Sequence, residues 1–189
     1  MDFEINIIKF LQSGRNHFFD VSFQAISFLA GVLGVVVFTL FLLKYKKDLA
    51  FWYLFTYGFV VLVVTIFKGT IQRIRPFVAS KEIELIGDIT SDFSFPSGHT
   101  ACAVTMMIFL GVFLFDRYKG KAMRLWLGLC LTFFVALVMI ARMYLGAHFL
   151  TDVLAGAAIA AIISFAGIAF MKYAKKKLKG LKDEIKDGN

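Results

Sequence analysis

The chain has 189 residues, of which 59% are hydrophobic, and it carries a formal net charge of +8. A soluble domain of this size is typically about 45–50% apolar, so this composition excludes an ordinary water-soluble protein. Charged residues cluster in a few short segments and leave long apolar runs, which is typical of a multi-pass membrane protein. The positive charge does not indicate a nucleic-acid partner, because seven lysines lie in the C-terminal tail, where a cytoplasmic anchor explains them.

Residues 1–20 are predicted to form an amphipathic helix at the membrane interface. Apolar and charged residues are interleaved over the first part of this segment, and a polar stretch follows. Asp2 and Glu4 stand where a signal peptide would carry its positive charge, so a signal peptide is not expected. His17 lies in the polar stretch and is expected to have no catalytic role.

Five predominantly apolar runs follow, and they predict an all-α integral membrane protein with a bundle of about five transmembrane helices. The predicted spans are 21–43, 49–67, 97–115, 125–140 and 149–171, and together they form one transmembrane domain over residues 21–171. Residues 172–189 form a basic tail. Cys102 and Cys130 lie in different spans near opposite membrane faces, so a disulfide bond is not expected. The fifth span is rich in small residues between Ala155 and Ala161, which favours close helix packing.

Five spans put the termini on opposite sides, and the distribution of Lys and Arg predicts which side is cytoplasmic. Most of the 21 Lys and Arg residues lie in the loops after the first and third spans and in the tail. These parts are therefore placed in the cytoplasm, with the N-terminus and the polar connections 68–95 and 141–148 outside. The expected location is the plasma membrane, and the small size favours a bacterial protein.

Three groups of polar residues meet on the predicted outer side, and the first follows the second span. Lys68 and Arg75 are seven residues apart, so both point the same way if the span continues outward as a helix. An anchor for lipid headgroups is the alternative interpretation. That alternative is weakened because these cations lie on the side where the charge distribution predicts few of them.

The second group is the sequence Phe95-Pro-Ser-Gly-His-Thr100 at the start of the third span. Ser97 is suited to cap the helix, and the backbone N–H groups of Ser97, Gly98 and His99 are available to an anion there. Taken alone, the same sequence would fit an ordinary helix cap with a bystander histidine.

The third group contains Arg142, His148 and Asp152. His148 and Asp152 are four residues apart and share a helix face, so the carboxylate can accept the Nδ1–H and leave Nε2 free as a nucleophile. An unpaired carboxylate inside an apolar span costs several kcal/mol, which makes Asp152 a functional candidate. A purely structural His–Asp pair is the alternative.

Together these groups supply three cations, a helix N-terminus, two imidazoles and one carboxylate at a single membrane face. This combination suits a dianionic phosphate monoester or a pyrophosphate. A metal site fits less well, because the outer acidic residues lack a recognisable ligand spacing and the cations would repel a divalent ion. A metal site is therefore not expected from these residues.

The pattern Lys68-x6-Arg75-Pro76, Pro96-Ser97-Gly98-His99 and Arg142-x5-His148-x3-Asp152 resembles the three-part signature of the type 2 phosphatidic acid phosphatase superfamily. Order and internal spacings match, and the resemblance covers about residues 50–170. The family includes integral-membrane lipid phosphatases, glucose-6-phosphatase and soluble vanadium haloperoxidases. One position departs from the family pattern, because Ala141 stands where a serine usually precedes the arginine, which puts a hydroxyl contact near the phosphate in doubt.

The resemblance implies a role for each matched residue. His148 would attack phosphorus and form a phosphohistidine, with Asp152 orienting it, and His99 would protonate the leaving oxygen and then activate water. The remaining matched residues would hold the phosphoryl oxygens: Lys68, Arg75, Arg142, the Ser97 side chain and the Gly98 amide.

A site between spans at the outer interface suits a phosphate on a lipid whose tails stay in the bilayer. The candidates are undecaprenyl pyrophosphate and phosphatidylglycerol phosphate, which we favour, and phosphatidic acid and lipid A phosphate. The apolar residues in segment 77–95 predict a partly inserted lid or an access rim for the lipid. Two alternatives from other classes are an anion transporter, for which the expected inverted repeat is not seen, and a non-catalytic lipid-phosphate-binding protein, which would be expected to have lost a signature residue.

Overall fold

A computed structural model describes residues 2–87 and 92–187, and these residues form eight helices and no strand. The helices are α1 (Asp2–Ser13), α2 (His17–Leu29), α3 (Val32–Tyr45), α4 (Lys47–Ile71), α5 (Pro76–Ala79), α6 (Gly98–Arg117), α7 (Lys121–Tyr144) and α8 (Leu150–Asp187). Within the described ranges, α4, α6, α7 and α8 are each long and apolar enough to cross a membrane, and the bent pair of α2 and α3 makes a fifth span if it crosses as one unit. The predicted all-α membrane bundle is confirmed, and the protein is a multi-pass membrane protein.

The first span is not the continuous helix that its apolar sequence predicts. α2 and α3 are bent by 48° to each other, and Ala30 and Gly31 lie between them. Gly34 explains why the chain can turn so sharply, since a Cβ atom on it would lie 1.7 Å from the Leu29 carbonyl oxygen. With no proline and no charge at this point, the bend depends on two glycines whose packing partners the sequence does not reveal.

α6 is the centre of the bundle and packs against α4, α7 and α8. Its core side chains Met106 and Phe109 belong to a buried cluster with Phe38 of α3, Tyr53 of α4 and Ile168 of α8. By contrast, α7 exposes a broad apolar stripe, which fits a surface in contact with lipid. Cys102 and Cys130 are both free cysteines.

Two helices continue beyond the ends that hydropathy predicts. α4 runs to Ile71 and ends at Gln72, whose left-handed φ of 51° turns the chain out of the helix. α8 does not stop near residue 171 but continues as one helix to Asp187, so most of the predicted basic tail is a helical extension. The last two residues of that tail lie outside the described ranges.

The N-terminal segment is shorter than predicted and packs on the end of the bundle where the polar groups lie. α1 ends at Ser13, and His17 is the first, exposed residue of α2. Ile8 of α1 is fully buried in a cluster with Ile83, Met143, Phe149 and Val153. One apolar face of α1 therefore packs on the loops of this end, whereas Phe3 and Phe10 remain exposed.

Candidate active site

The Pro-Ser-Gly-His turn is held between the start of α6 and the start of α8. Ser97 is the N-cap of α6, and its Oγ accepts hydrogen bonds from the Thr100 amide at 3.4 Å and the Thr100 hydroxyl at 3.0 Å. The Ser97 amide donates to the Asp152 carbonyl at 3.0 Å. This close approach requires Gly156, because a Cβ there would lie 2.4 Å from the Ser97 carbonyl oxygen. The turn is thereby fixed against the helix that carries Asp152.

His99 faces the bend between α2 and α3 and lies between two cavities. A Cβ on Gly31 would be 3.3 Å from His99 Nε2, so the bend leaves room for the imidazole. One cavity of 540 Å³ lies between α2 and residues 85–87 and is also lined by Arg142. The other, of 320 Å³, runs along apolar side chains of α4 and also reaches Lys68. His99 therefore lines two cavities, one shared with Arg142 and one shared with Lys68.

Lys68 and Arg75 converge on one carboxylate, that of Asp92. Lys68 Nζ lies 2.8 Å from Asp92 Oδ2, and Arg75 Nη2 forms an ion pair with Asp92 Oδ1. The prediction that Lys68 and Arg75 share a face of one continuous helix is wrong, because α4 ends at Ile71, before Arg75. They meet because the chain leaves the helix and returns along the 92–95 segment, where Ser94 N donates to Arg73 O at 2.8 Å.

Asp92 is ionised because of these two cations. Burial alone would raise the pKa of this carboxyl, but the hydrogen bonds from Lys68 and Arg75 outweigh burial and lower the pKa of Asp92 to about 2. The single carboxylate is therefore paired with two of the three cations predicted to bind phosphate and offsets one of their two positive charges.

Arg75 also links these cations to the loop between α7 and α8. It is 4% exposed, its Nη1 donates to the Ala147 carbonyl at 2.8 Å, and the same atom lies 3.5 Å from His148 Nε2. The Arg75 guanidinium therefore lies directly beside the nitrogen predicted to be the nucleophile.

Arg142 is the third cation, and it is almost as buried as Arg75. Its Nη1 donates to Ser27 Oγ of α2 at 2.6 Å, whereas its buried Nε has no hydrogen-bond partner among the described residues. The His148 amide donates to the Arg142 carbonyl at 3.2 Å, which fixes the two residues relative to each other. Ala141 is fully buried, and the hydroxyl that contacts the arginine comes from Ser27 instead.

His148 is 1% exposed, and its imidazole is uncharged. Burial, together with the cations Arg142 and Arg75, lowers the pKa of His148 to about 3 against the opposing effect of Asp152. The neutral ring keeps a free lone pair, which a nucleophile requires. His148 Nδ1 lies 3.7 Å from Asp152 Oδ2, which is longer than a hydrogen bond, and it has no other partner within the described ranges.

Asp152 is completely buried and accepts hydrogen bonds from three donors. Arg73 Nη1 donates to Oδ1 at 2.5 Å, the Phe149 amide donates to Oδ2 at 2.8 Å, and the Ser94 hydroxyl also donates to Oδ2. Neither Arg73 nor Ser94 is part of the three-part pattern. The sequence does hint at Arg73, although it does not assign it a partner. A carboxylate inside an apolar span needs a cation, and Arg73 is one of the few cations on the predicted outer side.

The structure brings all eight predicted site residues to the same end of the bundle. The contacts described above connect Lys68 and Arg75 with His148, Ser97 with Asp152, and His99 with the cavity that Arg142 lines. Sequence reasoning missed Arg73, Asp92, Ser94 and Ser27. Across residues 2–87 and 92–187, no three His, Cys, Asp or Glu side chains form a group that could hold a metal ion.

The sequence matches the model of the PAP2 superfamily over residues 49–176, and because this is more than half of the chain, the protein belongs to that superfamily. Phosphatidylglycerophosphatase B of Bacillus subtilis (strain 168) is a curated relative, 34% identical over 116 residues. That match covers 59% of this chain and 53% of the relative, so the chain spans about half the length of the curated relative it matches.

Two crystal structures are similar in fold. Aquifex aeolicus LpxE has a TM-score of 0.75 at 23% identity, over 88% of this chain and 95% of that one. A transmembrane PAP2-type phosphatidylglycerolphosphate phosphatase from Bacillus subtilis has a TM-score of 0.78 at 24% identity, over 91% and 86% of the two chains. At these identities the comparisons show the shared fold.

Proposed function

We propose that the protein is a membrane lipid phosphatase that hydrolyses a phosphate monoester or pyrophosphate of a lipid through a phosphohistidine. The observation that carries this proposal is the environment of His148. A neutral, buried imidazole lies 3.5 Å from the Arg75 guanidinium, and nearby Arg142 keeps a buried Nε without a partner among the described residues. A phosphoryl group fits between these side chains. Its oxygens accept hydrogen bonds from Arg75 and Arg142, and its phosphorus is open to attack by the His148 ring nitrogen.

In the first step His148 Nε2 forms a bond to phosphorus, and the bond from phosphorus to the leaving oxygen breaks. His99 donates its proton to that oxygen. In the second step water attacks the phosphohistidine while His99 accepts a proton from the water, the bond from phosphorus to Nε2 breaks, and inorganic phosphate leaves. Asp152 stabilises the cationic ring of the intermediate through Nδ1–H, a contact that has to shorten from 3.7 Å.

The phosphoryl oxygens are held by Lys68, Arg75, Arg142, the Gly98 amide and the Ser97 hydroxyl. The lone pairs of Ser97 Oγ already accept two hydrogen bonds from Thr100, which leaves its own proton to donate. No metal ion or organic cofactor takes part in the proposed steps.

The two cavities at His99 support a lipid as the substrate. Both cavities are lined mainly by apolar side chains, such as Val60, Val61 and Val64 in the 320 Å³ cavity, and each also reaches a cation, so each suits an apolar chain whose phosphate lies near His99. Undecaprenyl pyrophosphate and phosphatidylglycerol phosphate are the favoured substrates, the second also because of the name of the curated relative. Phosphatidic acid and lipid A phosphate remain in the set to be tested. The distribution of Lys and Arg supports a site on the outer face of the plasma membrane and a cytoplasmic C-terminus.

Purified protein in detergent, incubated with each of these four lipid phosphates with and without EDTA, tests the proposal. We expect inorganic phosphate to be released from at least one lipid, to the same extent with EDTA, and not by the His148→Ala or His99→Ala variants. Failure to release phosphate from any of them would favour a lipid-phosphate-binding protein or an anion transporter.

A further inference from the structure

Arg73 lies outside the three-part pattern, yet it makes the closest charged contact to the buried carboxylate of the site. Its Nη1 donates to Asp152 Oδ1 at 2.5 Å and to Thr151 Oγ1 at 2.6 Å, and its Nη2 donates to Glu4 Oε2 at 2.7 Å. The guanidinium also lies over the Phe149 ring, 4.1 Å from its centroid. Arg73 is thus fixed on four sides, which is far more than a surface anchor for lipid headgroups requires.

Arg73 does not line either cavity that reaches His99, whereas Lys68 and Arg142 do. Arg73 contacts Asp152 Oδ1, whereas Oδ2 is the oxygen that lies 3.7 Å from His148 Nδ1. Ser94 and the Phe149 amide both donate to Oδ2, so Arg73 is the donor that holds the other oxygen of the carboxylate. The orientation of the carboxylate is thus fixed at both oxygens, with Oδ2 toward His148.

We propose that Arg73 is a positioning residue that holds Asp152 Oδ1 and thereby keeps Oδ2 directed at His148 Nδ1. The expected effect of Arg73 on kcat rests on the proposed function. The orientation of the Asp152 carboxylate toward His148 does not, and it can be tested without turnover. Without Arg73, a carboxylate that is 0% exposed loses the one cation that contacts it among the described residues, and its Oδ1 keeps no donor among them, so the orientation of Oδ2 toward Nδ1 is less well fixed.

Glu4 of α1 supports the same arrangement from the outside. Its Oε2 accepts from Arg73, and its Oε1 accepts from the Thr151 amide at 2.9 Å and the Thr151 hydroxyl at 2.8 Å. α1 is thereby connected to the start of α8 and to Arg73 at once. Since Glu4 does not contact Asp152, Glu4→Gln is a matched control. It weakens the contact between Arg73 and Glu4 and keeps the contact between Arg73 and Asp152.

The kinetic test compares Arg73→Ala, Arg73→Lys and Glu4→Gln on the lipid that the wild type hydrolyses. For Arg73→Ala we expect kcat to fall by roughly 10- to 100-fold, with KM changed by less than about twofold, because the substrate contacts remain. Arg73→Lys keeps the charge but cannot bridge three partners, so its kcat should lie between those of Arg73→Ala and the wild type. Glu4→Gln should lower kcat by less than Arg73→Lys does.

Two kinetic results would overturn the proposal. Unchanged kcat per folded molecule in Arg73→Ala would make the residue a structural tether, and a raised KM with unchanged kcat would make it a substrate contact. If Arg73→Ala does not yield folded protein, the separate effects on kcat and KM are measured in Arg73→Lys instead. Arg15→Ala, which removes an exposed arginine that is ion-paired with Asp20 and Glu84, controls for the loss of a cation at this end.

A measurement without turnover separates this inference from the proposed function. The chain has three histidines, so ¹⁵N-histidine labelling in a His17→Gln, His99→Gln background leaves the signal of His148 alone. We expect His148 to be the neutral Nδ1–H tautomer with Arg73 present and a mixture of tautomers in Arg73→Ala. The same tautomer in both proteins would overturn the inference, even if no lipid phosphate were hydrolysed.

Discussion

At the scale of single residues, the three cations that we propose to bind phosphate are only partly free of other partners. Lys68 and Arg75 are paired with Asp92, whereas buried Arg142 makes one side-chain hydrogen bond, to Ser27, within the described residues. A phosphoryl group that binds to all three cations has to displace the Asp92 carboxylate from two of them. Asp92 is therefore a competitor for the same positive charge.

Asp92→Asn should strengthen substrate binding. The amide keeps the shape of the side chain but not its charge, so Lys68 and Arg75 become available to the phosphoryl oxygens. We expect KM for the lipid phosphate, and the inhibition constant of inorganic phosphate, to fall by roughly 3- to 10-fold, equivalent to about 1 kcal/mol. A rise in both constants would mean that Asp92 arranges the cations for binding rather than competing with the substrate.

His148 predicts how stability depends on pH. The unfolded chain takes up a proton on this residue near its ordinary pKa of about 6.5, whereas the folded protein does so only near the lowered pKa of about 3. Between these values the unfolded state binds more protons, so stability is full above about pH 6.5 and is lost as the pH falls.

Thermal unfolding in detergent measures this effect. From about pH 7.5 to about pH 5, Tm should fall, and it should fall less in His148→Gln, which has no proton to take up at this position. An equal fall in both proteins would show that His148 is not held neutral by the fold.

At the scale of helices, the site depends on how closely α8 approaches the turn before α6. Gly156 lies against the Ser97 carbonyl, and no larger residue fits because the obstructing atom is backbone. The small residues of the fifth predicted span therefore include one that positions the active site, although the sequence indicates only close packing for the whole group.

Gly156→Ala should disrupt the candidate site, although it adds only one methyl group. A Cβ 2.4 Å from a carbonyl oxygen forces α8 and the turn apart, at a cost of about 1–3 kcal/mol. Since this displaces Ser97 relative to Asp152, we expect kcat/KM to fall at least about 10-fold. Gly58→Ala on the exposed face of α4 is the control, because nothing lies within 4 Å of a Cβ there. Equal activity of the two variants would contradict this account.

How much the sequence reveals also differs between helices. Hydropathy alone was sufficient for the all-α bundle, because long uncharged runs have few alternatives in a membrane. It could not reveal the bend at Gly31, which depends on contacts of Gly34 and His99. It also missed the length of α8, since lysine-rich segments can continue a helix in water without any apolar signal.

At the scale of the whole molecule, the three-part pattern predicts the residues of the candidate site but not the side chains that support them. Lys68, His99 and His148 could be predicted because their spacing and chemistry are unusual for a membrane span. Arg73 and Ser27 could not be assigned in this way, because their partners Asp152 and Arg142 are distant in sequence and meet them only in the folded bundle. The site is thus built from α1, α2, α4, α6, α7, α8 and their connections, and no single segment contains it.

The central claim is that His148 becomes phosphorylated during hydrolysis. Rapid quenching of the purified enzyme with a ³²P-labelled lipid phosphate, followed by mass spectrometry, tests it most directly. We predict an acid-labile, base-stable phosphoryl group on His148 that appears before inorganic phosphate and is absent from His148→Ala. Steady release of phosphate by His148→Ala, with no label on the wild-type histidine, would contradict the account.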